Sequence, residues 1–137
     1  MTRGFVVVDA SVVVAALLGA GPQGRWAEKV LSSGPLAAPQ LMPAEVDNIL
    51  RKAVAAGKVS ADAASLAHAD LKALRVELYP YEPFADRIWE LRANVTCYDA
   101  WYVALAEFLG RPLATLDWRL ANASGVKCGF ELPDAPP

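Results

Sequence analysis

A chain of 137 residues, 55% hydrophobic and 20% charged, is long enough for one domain with a buried core and too apolar to be disordered. Its net charge of −2 excludes a global basic field, so nucleic-acid binding would have to rest on a local patch or a bound cation. A single histidine, His68, and two cysteines, Cys97 and Cys128, without metal-ligand spacing exclude a multi-histidine zinc centre and leave carboxylates to carry any chemistry.

The chain opens on "TRGFVVVDASVVVAALLG", where all residues from Phe5 to Leu18 are apolar except Asp9 and Ser11. Arg3 and the run behind it look like the start of a signal peptide. Asp9 in the middle of the run and the patterned segments beyond it argue against that, and for a cytosolic chain. The run is also too short to span a bilayer. Instead, Gly4 to Val8 reads as a strand buried on both faces, ended by Asp9 and followed by a helix that Gly19 closes. Gln23 to Ser33 reads as a short helix and Leu36 to Ala38 as a second, brief strand. A long helix follows, with Pro43 near its start and Ala44 to Ala56 as its body. Val46, Ile49, Leu50, Ala53 and Val54 recur in it at the helical period. Ser60 is placed to cap a helix over Ala61 to Leu74.

"VELYPY" reads as a third strand and Phe84 to Arg92 as a helix. "TCYDAWYVALAEFLG" is a helix apolar on nearly every side, Glu107 being the main exception, which predicts neighbours on most faces. Leu113 to Thr115 is a short fourth strand, Trp118 to Ala123 a helix, and a last strand spans Val126 to Phe130. A single domain over 1–137 is expected, with residues 130–137 as a frayed tail. Strands alternating with helices predict a three-layer α/β/α fold around a mostly parallel sheet. Both cysteines read as small packing residues. His68 reads as having no functional role. Core packing is expected for at least two of Trp26, Trp89, Trp101 and Trp118.

Asp9, Glu45, Asp99 and Asp117 stand out by position. Singly, each has an ordinary explanation. Asp9 and Asp117 precede helices as N-caps, Thr96 with Asp99 fits a capping box, and Glu45 suits a helix dipole. Together they fall where strands end and the next helices begin, on the one edge of a parallel sheet where ligand sites form. Two carboxylates about 5 Å apart repel by roughly 3 kcal/mol at an effective dielectric near 20. A cluster of such groups therefore needs a cation or large pKa shifts. All-oxygen ligation suits Mg²⁺ or Mn²⁺, and such a site supports phosphodiester hydrolysis. On this reading Asp9 is not stranded in the core, because the strand delivers it to a metal.

"VVVDAS", "PAEVDNILRKA" and, most specifically, "YDAWYVALAEFLGRPLATLDWRLA" resemble the PIN-domain nucleases, in particular the VapC toxins of bacterial type II toxin–antitoxin modules. The resemblance runs from Phe5 to about Ala121 and implies a central five-stranded parallel sheet flanked by helices. It also implies an Mg²⁺- or Mn²⁺-dependent endoribonuclease that inhibits translation. By resemblance, Asp9 and Asp99 are metal ligands, and Glu45 and Asp117 complete the pocket directly or through water. Asn48 stands beside Glu45, and Ser11 and Thr115 match the small hydroxyl residues next to the metal. The resemblance further implies a homodimer, a cognate VapB-type antitoxin that blocks the groove, and contact with operator DNA only through that antitoxin.

Among the basic residues near these motifs, Arg119 is the best candidate for RNA contact, while Arg87 and Arg92 read as a solvated helix face. Arg51 and Lys52 follow the Glu45 segment. Two rival readings are weaker. An aspartyl-phosphate phosphatase needs a second aspartate where Ser11 stands, and a silent binding module has no need of an intact set of acids.

Overall fold

The computed structural model describes residues 4–134. Its sheet holds five strands in the order β3-β2-β1-β4-β5, every neighbouring pair parallel. The strands are β1 (Val6–Val8), β2 (Leu36–Pro39), β3 (Glu77–Tyr79), β4 (Leu113–Ala114) and β5 (Phe130–Glu131). Val6, Val7 and Val8 have no exposed surface at all. That is what an unbroken β-branched run requires when helices cover both faces of a central strand. Val7 pairs with Ala37 on one side and with Leu113 on the other, so β1 is the axis of the sheet. The apolar opening run is thus β1 and the helix behind it.

The helices are α1 (Ala10–Leu18), α2 (Gly21–Ser32), α3 (Met42–Ala55), α4 (Ala61–Ala73), α5 (Ala85–Glu90), α6 (Cys97–Leu109) and α7 (Trp118–Ala121). Most begin on a local signal. Ser60 accepts from the Ala63 N–H, and Thr96 from the Asp99 N–H, as N-caps of α4 and α6. Proline stands in the first turn of α2 and of α3, where its missing N–H costs nothing. This is why α2 starts at Gly21 rather than at Gln23. Gly19 (φ 64°) and Gly110 (φ 63°) end α1 and α6 in the left-handed conformation that a side chain resists. The segment expected as one helix over Phe84 to Arg92 is a 3₁₀ turn, Glu82–Phe84, followed by α5.

Three expectations need correction. The last strand lies at Phe130–Glu131, not over Val126 to Phe130, so these residues are no frayed tail. The Leu113 N–H donates to the Gly129 carbonyl (3.0 Å) and the Thr115 N–H to the Glu131 carbonyl (3.2 Å). The register is set by Glu107 of α6, whose carboxylate accepts from the Lys127 N–H at 2.8 Å and delivers the chain to β4 three residues on. The remainder of the expected tail, residues 135–137, lies outside the described residues. Cys97 is exposed at the first position of α6 and packs against nothing, whereas Cys128 is half-buried against the core. Finally, α6 is not covered all round: Tyr98 and Phe108 are 62% and 71% exposed. Trp26 and Trp101 do pack on the core, while Trp89 is 62% exposed. His68 bonds Asp47 (2.7 Å) and so ties α4 to α3 at the surface.

Candidate active site

Asp9, Glu45 and Asp117 lie where a strand runs out and a helix begins, while Asp99 opens α6 behind α5. Asp9 follows β1 and is the N-cap of α1, its Oδ1 accepting from the Ser11 N–H at 3.0 Å. Its Oδ2 accepts from the Thr115 hydroxyl at 2.7 Å. Thr115 stands at the end of β4 and has no exposed surface, and its oxygen also accepts from the Asp117 N–H at 3.0 Å. One buried hydroxyl therefore sets the positions of two acids that lie far apart in sequence.

Asp117 is the N-cap of α7, with Oδ1 accepting from the N–H groups of Arg119 (2.9 Å) and Leu120 (3.2 Å). Glu45 sits in the first turn of α3, and its Oε1 accepts from the Tyr102 hydroxyl at 2.5 Å. Asp99 sits in the first turn of α6, where the Thr96 hydroxyl takes its N–H at 3.1 Å. Its carboxylate, with Asp117, lines a surface cleft of about 490 Å³. The capping roles foreseen for Asp9 and Asp117 are real, and they coexist with the clustering because each cap occupies a single carboxylate oxygen.

Electrostatics tie the acids together. Burial pushes the Asp9 carboxyl above its ordinary value despite the bonds from Ser11 and Thr115, and the charge of Asp117 adds to the rise. Burial also raises Glu45, against the Tyr102 bond, with the charges of Asp9 and Asp99 adding to it. Asp99 is raised by burial and then by Asp9 and Asp117, against Thr96 and Arg119. Acids raised in this way favour a cation beside them.

The donor set suits a hard divalent cation. It is all oxygen, and the Ser11 hydroxyl beside Asp9 is buried with no aligned hydrogen-bond partner. This hydroxyl leans toward Asp9, whose pKa it helps to lower, and a cation's water would complete its bonding. Among the described residues, no three acidic, histidine or cysteine groups already stand close enough to cage an ion. The engaged oxygens explain this: Glu45 is held by Tyr102 and Asp117 by its cap.

The other foreseen residues fare differently. Arg119 lines the cleft, with its side chain 97% exposed and its Nε 3.8 Å from Asp117 Oδ1. Asn48 makes no hydrogen bond to any of the acids; its amide oxygen accepts instead from Arg51 Nε (3.1 Å) and Nη2 (2.9 Å). Arg51 is thereby occupied as well. Tyr102 was not foreseen. It is 1% exposed and lies three residues after Asp99, on the inner side of α6. The available signal was a lone hydroxyl among the buried residues of an apolar helix.

Residues 6–126 match the PIN domain family. The chain is similar to Ribonuclease VapC1 of Mycobacterium tuberculosis, 43% identical over 127 residues that cover 92% of this chain and 96% of that one. The chain belongs to the VapC ribonucleases of the PIN-domain family. Solved structures agree with the sequence. PAE2754 from Pyrobaculum aerophilum is 28% identical, with a TM-score of 0.64 over 91% of this chain and 81% of that one. VapBC-5 from Mycobacterium tuberculosis, a member of the VapBC family of toxin–antitoxin systems, is 25% identical, with a TM-score of 0.59 over 97% and 100%. This VapC chain thus has the five-stranded parallel sheet and flanking helices expected of the family. Among the described residues, no helix is long and apolar enough to cross a membrane.

Proposed function

We propose that this VapC chain is an Mg²⁺- or Mn²⁺-dependent endoribonuclease, the toxin of a type II toxin–antitoxin pair, acting on RNA in the cytoplasm to halt translation. The observation that carries the reading is a VapC ribonuclease chain in which one buried hydroxyl, Thr115, bonds both the Asp9 carboxylate and the Asp117 N–H at the end of a parallel sheet. Asp9 and Asp99 would hold the cation, with Glu45 and Asp117 completing its surroundings. When bound, the cation supplies Lewis-acid chemistry at a phosphodiester and an activated water.

The chain's own residues do the rest. Thr115 and the Ser11 N–H fix the plane of the Asp9 carboxylate. Tyr102 holds one oxygen of Glu45 with a neutral donor, which orients the group without cancelling its charge. Arg119, at the mouth of the cleft, is available to an RNA phosphate. A VapB-type antitoxin and a second copy of the chain are the proposed protein partners.

The test is incubation of the purified chain with labelled RNA and Mn²⁺. Endonucleolytic cuts that EDTA abolishes are expected, and cutting that survives EDTA would discard the metal mechanism. Because the three carboxyls are raised, protons compete with the cation at pH values where free carboxylates are already ionised. Mn²⁺ affinity is therefore expected to climb as pH rises through the mildly acidic range. Tyr102→Phe removes a bond that lowers the Glu45 pKa, so the climb should move to higher pH. Titration calorimetry should find affinity down about tenfold at mildly acidic pH and largely recovered in alkali. An unshifted curve would leave Tyr102 as a packing residue.

A further inference from the structure

Arg87 and Arg92 look alike in the sequence, but the structure separates them. Arg87 is consumed internally, bonding Glu107, Glu90 and the Gly125 carbonyl. Arg92 has no carboxylate within ion-pair distance among the described residues, yet it is held in place. Its Nη1 donates to the Trp89 carbonyl at 2.7 Å, and its guanidinium carbon lies 4.2 Å from the centre of the Trp89 ring. It lines the same cleft as Asp99, Asp117 and Arg119.

The carbonyl and the ring hold the guanidinium in one place, so an arriving anion does not have to order it first. The cleft's acids repel a lone small anion. A strand with several phosphates can instead run past them and meet more than one cationic contact. Arg92, at the turn after α5, and Arg119, on α7, supply cations from two separate elements. At about 490 Å³, the cleft has the size of a small-ligand pocket and not of a groove that takes a duplex. Directly behind Arg92 is Trp89, exposed as aromatics are in sites that bind single strands.

We infer that Arg92, backed by Trp89, is a substrate-binding residue that grips a phosphate of unpaired RNA laid in the cleft that Arg119 also lines. The inference rests on the ribonuclease reading and names how that substrate is held. Arg92 takes no part in bond breaking, so its loss falls on KM and not on kcat.

The experiment has two arms. In the first, an unpaired RNA oligonucleotide is titrated by fluorescence anisotropy against Asp9→Asn protein across a salt series, so that binding is read without cleavage. Arg92→Gln in that background is expected to weaken binding about tenfold and to reduce the slope of log Kd against log salt by about 0.7, the share of one phosphate contact. Arg92→Lys should keep the slope, because the charge remains. Arg25→Gln, an exposed arginine of α2 outside the cleft, should keep it too. In the second arm, the otherwise wild-type enzyme carrying Arg92→Gln should show KM up about tenfold with kcat within about twofold, and Trp89→Leu a smaller rise of the same kind. An unchanged slope and KM, or an equal loss in Arg25→Gln, would overturn the role of Arg92 while wild-type cleavage stands. Failure of the wild type itself to cut RNA would overturn the ribonuclease reading and the inference with it.

Discussion

Asp9→Asn is expected to cut the kcat/KM for Mn²⁺-dependent RNA cleavage by well over about a hundredfold, and Asp99→Asn by a similar factor. Losing a residue that merely supports a metal ligand costs about ten- to a hundredfold, so losing the ligand itself costs more. The fold should survive. Asparagine keeps an oxygen for the Ser11 N–H, and Thr115 retains the Asp117 N–H as a donor. Stability supplies an independent readout. The Asp9 carboxyl is raised in the folded chain, so folding is favoured while it is protonated, and that advantage is lost as pH rises through the raised value. Without metal at neutral pH, Asp9→Asn should therefore melt no lower than the wild type. Added Mn²⁺ should raise the Tm of the wild type and leave the variant's almost unmoved. A variant that cuts like the wild type, or a wild type whose Tm ignores Mn²⁺, would return Asp9 to a capping role.

Glu107→Ala is expected to destabilise the fold by about 2–3 kcal/mol. Glu107 is 16% exposed and accepts from Arg87 Nε (2.7 Å), Arg87 Nη2 (3.1 Å) and the Lys127 N–H (2.8 Å). Removing it leaves a guanidinium only 25% exposed with just Glu90 and the Gly125 carbonyl as partners, and frees the segment leading into β5. Full burial of such a pair would put the loss nearer 3–5 kcal/mol; partial exposure reduces it. The acid branch has a definite sign. Burial alone would raise Glu107, but the Arg87 bond, the Lys127 N–H and both positive charges more than offset it and hold the carboxyl below its ordinary value. Its contribution is thus complete above the unfolded carboxyl's pKa and disappears as pH falls through the lower folded value. Urea denaturation across pH should show that loss in the wild type and a flatter acid limb in Glu107→Gln. Matching limbs would remove the pair from the account of stability.

Much of this was legible in the sequence, for identifiable reasons. The run Val6–Val8 could only be a strand covered on both faces, and once it was central and parallel, Asp9 had to emerge on the edge where Glu45, Asp99 and Asp117 also lie. What escaped depends on partners distant in sequence. Tyr102 reads as one more core residue until α3 brings Glu45 to it, 57 positions away. Arg87 and Arg92 diverge only because Glu107, 20 residues beyond Arg87, folds back onto the first and not the second. A two-residue strand such as β5 carries no periodicity, and its place is dictated by the neighbour it pairs with. Apolar character around α6 announced neighbours, but it could not say that Phe108 would meet only the edge of Phe84, at 5.5 Å between ring centres, and otherwise face solvent.

The hydroxyl that steadies Asp9 lies 106 residues further along the chain, on a strand that must slot in beside β1. Until then, any emerging or truncated chain carries the first acid without Thr115 or Asp117. The pocket is thus completed only when β4 docks on β1, so its acids are set together by folding and not by local sequence.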